Sequence, residues 1–135
     1  MATIRQYTQW WHSVLIAVII FYLSVIHVPS SLIAPWMEVV HFDKWVHVLL
    51  YFALSVTLAW DGMTRLQLEC RRVKLVRLTI LMPVLYGGAL ELVQEYVCEG
   101  RTGSWGDWAA DWAGAVVAYA VIRFWMSRRK DRQFE

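Results

Sequence analysis

The chain has 135 residues, of which 59% are hydrophobic and 18% charged, with a formal net charge of +2 and a mean hydropathy of +0.41. Soluble domains carry roughly a quarter charged residues, so there is too little charge here to cover a soluble domain of this size. Only 3 Pro and 7 Gly, with 15% aromatic residues, also exclude disordered, collagen-like and coiled-coil chains.

Crossing a hydrocarbon core of ~30 Å takes about 20 mostly apolar helical residues. Four segments meet that requirement in chain order, about 10–28, 43–60, 76–98 and 107–126. The first carries no formal charge and ends at Pro29. A secretory signal peptide is its competing reading, but the small-residue cleavage pattern is poor around His27–Ser31. The second is bracketed by Asp43 and Asp61. The third is interrupted late by Glu91, Gln94 and Glu95, and the fourth contains Asp111 and Arg123. Pro83 and the Gly87-Gly88 pair predict a bend in the third helix just below Glu91. The expected fold is all-α: an integral membrane four-helix bundle in a single domain, 1–135.

Basic residues set the orientation. Eleven of the 13 Lys and Arg fall at the N-terminus, in the second loop or at the C-terminal end, against Lys44 and Arg101 on the other side. The positive-inside rule then places both termini in the cytoplasm. The nine Trp agree: Trp10, Trp11, Trp60 and Trp125 fall at the inner interface, and Trp36, Trp45, Trp105, Trp108 and Trp112 at or near the outer one. The basic C-terminal run suits orientation and anionic lipid rather than nucleic acid. Cys70 and Cys98 fall on opposite sides, so they form no intrachain disulfide in this topology.

Seven of the 11 acidic residues belong to the outer half. Carboxylates inside a span are costly and usually paired or functional. Spacings of three and four gather them into stripes: Gly87, Gly88, Glu91, Gln94, Glu95 and Cys98 on the third helix, and Asp107, Asp111, Gly114, Ala115 and Ala118 on the fourth. Lys44, His47, Tyr51 and Ser55 make a third stripe on the second helix. The small residues predict close approach of the third and fourth helices. Asp43 and Asp107 stand where helix caps belong, Ser24 and His27 suit interhelical hydrogen bonding, and Glu99 and Arg101 read equally as solvated loop charges. Glu91, about 12 Å from its helix end by this reading, calls for explanation most. Its plain structural reading is an ion pair with Lys44 or Arg101, or a protonated acid.

The order Asp43-Lys44-x-x-His47-x-x-x-Tyr51, then Glu91-x-x-Gln94, Arg101 and Asp107-x-x-x-Asp111-x-x-Gly114 resembles the VanZ-like family of small bacterial membrane proteins. The resemblance covers about Asp43 to Arg123. It implies a helical protein of the bacterial cytoplasmic membrane, in a family whose founder is associated with low-level resistance to the glycopeptide teicoplanin. This chain carries Asp111 where the family usually has Asn, which adds an acid to the cluster.

Two functions compete. In the first, an outer-leaflet enzyme acts on a lipid headgroup or lipid-linked envelope intermediate. Glu91, His47 and Asp111 are its catalytic candidates, with Lys44, Tyr51, Gln94, Arg101 and Asp107 binding the substrate. A metal variant would use His47, Glu91, Glu95 and Asp111 as ligands, although no metal-binding or organic-cofactor spacing supports it and the cofactor stays unassigned. In the second, an accessory protein binds without chemistry, its acidic cluster serving as a structural ion-pair network. A transporter is disfavoured, because the inner halves of the helices hold almost no ionisable groups for a relay.

Overall fold

The computed structural model describes residues 10–26, 41–65, 72–98 and 103–131. Arg101, Glu99, His27, Cys70 and the loop 29–40 lie outside them. Four helical rods are present: α1 (Trp11–Val25), α2 (Phe42–Arg65), α3 and α4 (Trp105–Asp131). α3 is continuous but composite, running from Arg72–Val76 through a π-helical stretch, Arg77–Leu81, into Met82–Val97.

Side-chain contacts fix the directions. The start of α1 meets the end of α2 through His12 and Asp61. The start of α2 meets the start of α4 through Lys44 and Asp107, and the end of α3 meets the end of α1 through Gln94 and Ser24. The rods therefore alternate up and down, with α2 and α4 parallel. Two apolar clusters fill the interior. Ile20, Tyr51, Leu54 and Leu90 join α1, α2 and α3, while Ala59, Leu75 and Ile122 join α2, α3 and α4 toward the other end.

Gly114 of α4 acts on α2, not on α3 as its spacing suggested. Gly114 lies against the backbone of α2, so close that a Cβ there would run into the Val48 carbonyl oxygen and come within 3.0 Å of the Phe52 nitrogen. Ala115 and Ala118 are fully buried beside it. On α3, Gly87 admits a side chain rather than a backbone: its missing Cβ makes room for the Asp111 carboxylate.

The irregularity of α3 also differs from the expected bend. It occupies the turn before Pro83 rather than the turn below Glu91. A reason lies in the burial pattern, since Leu75, Thr79, Pro83 and Gly87 are all buried at intervals of four. Steps of four in an α-helix drift by ~40° each. The π turn takes up about one extra residue and keeps the four positions on one face. Thr79 is fully buried there, its hydroxyl donating to the Leu75 carbonyl at 2.8 Å.

Two segments, Phe42–Met63 and Val73–Val97, are long and apolar enough to cross a membrane, and only 33% and 28% of their apolar windows are buried in the bundle. The core helix of a soluble protein is mostly buried; these are not. Large apolar side chains also face outward on α1 (Val14, Val18, Phe21) and α4 (Val117, Val121, Phe124).

Candidate functional site

The polar residues predicted on three helices meet at one end of the bundle. Ser104 begins α4: its carbonyl accepts from the Asp107 and Trp108 N–H groups at 3.0 and 3.1 Å, and its hydroxyl lies 3.4 Å from the Asp107 nitrogen. Ser104 is thus the cap, and Asp107 is the acid three residues on that suits the positive helix end. Asp43 likewise occupies the first turn of α2 rather than its cap. The turn before it is made by His41, whose backbone is left-handed at φ 49° and whose carbonyl accepts from the Lys44 N–H at 3.0 Å.

Lys44 bridges the starts of α2 and α4. Its ammonium donates to Asp107 Oδ1 at 2.9 Å and lies 3.7 Å from Asp43 Oδ2. Passing over Gly106 permits this; a Cβ there would come within 3.1 Å of Nζ. One turn deeper, His47 Nδ1 and Asp111 Oδ1 are 2.8 Å apart. The His47 ring lies parallel to the Tyr51 ring, their centroids separated by 6.3 Å.

Glu91 forms no ion pair with Lys44, which is committed to Asp107 and Asp43. Instead Glu91 Oε2 accepts the backbone N–H of Ser104 at 2.6 Å, and Glu95 Oε2 accepts that of Gly103 at 2.9 Å. Two carboxylates one turn apart on α3 therefore hold two successive loop amides and fix the entry into α4. Depth does not single out Glu91 either. Glu91 stands six residues from the end of α3 and Asp111 six from the start of α4, both about 9 Å in by helical rise. Burial separates them. Asp111 is fully buried and Glu91 only partly.

Asp111 is also incompletely satisfied. Its Oδ2 is buried with no hydrogen-bond partner, facing the space left by Gly87. An unpaired buried carboxylate oxygen is expensive, so this atom marks the centre of the site. Ligand atoms from His47, Glu91 and Asp111 all lie within 4.8 Å of one another.

The remaining predicted residues are distributed as follows. Gln94 is buried and donates its amide to the Ser24 carbonyl at 2.9 Å, tying α3 to α1 rather than facing a ligand. Tyr51 is buried with its ring in the apolar core, and its hydroxyl borders the space left by Gly87 beside the Asp111 carboxylate. Glu95 is exposed and does not join the His47, Glu91 and Asp111 group. Cys98 is a free thiol at the end of α3.

Beside Glu91 and Glu95 a groove of about 660 Å³ runs between α3 and α4. Its walls are Leu85, Leu92, Tyr96, Trp105 and Trp108, with Gly88 at its floor. Trp108 spans the two helices, its indole N–H donating to the Val84 carbonyl at 3.2 Å.

A second polar cluster, at the opposite end, is absent from the sequence expectations. Fully buried Asp61 accepts from the Ser13 hydroxyl at 2.8 Å and the Ser13 amide at 3.2 Å, and lies 2.9 Å from His12 Nδ1. The signal was present: an acid in the last turns of α2 opposes the helix dipole and so asks for a partner from elsewhere. Asp61 finds it at the start of α1, where backbone amides need an acceptor.

The chain finds no match among protein-family models, curated proteins or solved structures.

Proposed function

We propose that the chain is a VanZ-like four-span protein of the bacterial cytoplasmic membrane, with both termini in the cytoplasm. Its outer-leaflet site binds the headgroup of a lipid or a lipid-linked envelope intermediate. The observation that carries this reading is the groove between α3 and α4. Its apolar and aromatic walls open outward beside a buried polar cluster, a shape suited to a molecule with one chain-like end and one polar end. Interfacial Trp105 and Trp108 on that wall suit the headgroup level. The order of polar residues from Asp43 to Gly114 supports the family reading, and with it an effect on glycopeptide susceptibility.

Native mass spectrometry on the protein purified in mild detergent with bacterial polar lipids tests the groove. The protein should retain lipid, and groove-filling Ala89→Trp should remove most of it, whereas Val14→Trp on the outer face of α1 should not. Equal retention by the parent and Ala89→Trp refutes the groove. Turnover of candidate lipid substrates, compared between the parent and Glu91→Gln, separates an enzyme from a binder.

A second reading has its own observation. Lys44, Glu95, Gln94 and Asp107 are engaged with protein partners, as expected of a structural ion-pair network in a non-enzymatic accessory protein. Product formed by the parent and lost in Glu91→Gln would exclude it.

A further inference from the structure

Four carboxylates, Glu91, Glu95, Asp107 and Asp111, gather at this end of the bundle, against the ammonium of Lys44 and the imidazole of His47. Such a pocket repels an anionic headgroup and attracts cations. Within it the buried Oδ2 of Asp111 has no donor. The space it faces exists only because residue 87 is glycine.

We propose that His47, Glu91 and Asp111 form a binding site for a divalent transition-metal ion of the zinc type. One imidazole and two carboxylates make a three-ligand set of the kind that leaves a further position open on zinc. The distances are suitable. His47 Nδ1 and Asp111 Oδ1 are 2.8 Å apart, and tetrahedral zinc holds its ligand atoms roughly 3.3 Å apart. A small opening of that pair admits the ion. The full set spans 4.8 Å, so Glu91 closes in by rotating its side chain. Glu91 also lines the groove, which gives the ion an entry path and directs its open position toward whatever occupies the groove. A phosphate or other anionic headgroup would then meet a cation instead of bare carboxylates.

The inference rests on the reading above for the location of the site, but its test needs no lipid. The full chain in detergent, stripped with a chelator, is titrated with zinc chloride alone, and bound metal is counted by equilibrium dialysis. One zinc per chain is expected. Binding should weaken roughly ten- to hundredfold or more in Asp111→Asn and Glu91→Gln and stay unchanged in Asp43→Asn, whose carboxylate is exposed. Cobalt should give the intense visible bands of a low-coordinate site, lost in His47→Ala. Partly exposed Glu91→Gln keeps the test sound if His47→Ala does not fold. No stoichiometric zinc in the parent, or equal binding in Asp111→Asn and Glu91→Gln, overturns the site. If lipid retention persists in that case, the groove reading survives on its own.

Discussion

At the scale of single residues, the chemistry of this protein turns on Asp111. His47 is its one hydrogen-bond partner among the described residues. Removing that partner strands a buried charge, whereas neutralising Asp111 removes the charge itself. His47→Ala should therefore destabilise by about 3 kcal/mol, and His47→Ala with Asp111→Asn by clearly less. Thermal unfolding in detergent across the four combinations reads the coupling. At the far end, Asp61→Ala leaves both Ser13 donors without an acceptor and should cost about 2 kcal/mol, measured in the same way. Residue types told much of this in advance: His47 and Asp111 were legible as polar intrusions at helical spacing. That Asp111 rather than Glu91 is the desolvated acid was not legible. It depends on where α3 ends and where the loop amides of Gly103 and Ser104 turn.

At the scale of elements, the parallel pair α2 and α4 is the spine of the molecule. Gly114 lets the two backbones touch at Val48 and Phe52. Gly114→Val has no room, and overpacking of this kind costs roughly 1–3 kcal/mol. A drop in melting temperature with the helices forced apart, and weaker coupling of Lys44 to Asp107, are the expected results. The small residues 114, 115 and 118 were plain in the sequence, but small residues state only that something comes close. Their partner is set by the register of α2, whose Tyr51 and Ser55 face inward. Four helices could be counted from hydropathy. Their ends could not, because capping by Ser104 and the composite start of α3 are local events that a window of apolar residues averages away.

At the scale of the whole molecule, two segments are long and apolar enough to cross a membrane, and the sorted charge underlies the orientation proposed for them. An impermeant reagent applied to intact cells should fail to label a C-terminal tag and should succeed after lysis. Labelling from outside would reverse the proposed orientation and place the groove in the other leaflet. Trp10 approaches Gly62 at one end of the bundle, while Trp105, Trp108 and Trp112 pack edge to face at the other. Composition alone pointed to a membrane. Only packing shows that the acids of one end and the His12, Ser13 and Asp61 set of the other fasten the bundle at both rims.

The π turn of α3 gives the site a vulnerability remote from its own residues. That turn holds Pro83 and Gly87 on the same meridian as Leu75 and Thr79. Removing one residue between Arg77 and Leu81 would restore an ordinary α-helix with the facing beyond it unchanged, whereas adding one would swing everything beyond it by ~100°. Glu91 and Gln94 would then turn off the bundle axis, and the Asp111 carboxylate would lose its niche. A one-codon insertion in a stretch that contacts no ligand should therefore silence the site as thoroughly as the loss of His47. A substitution there that keeps the length should be far milder.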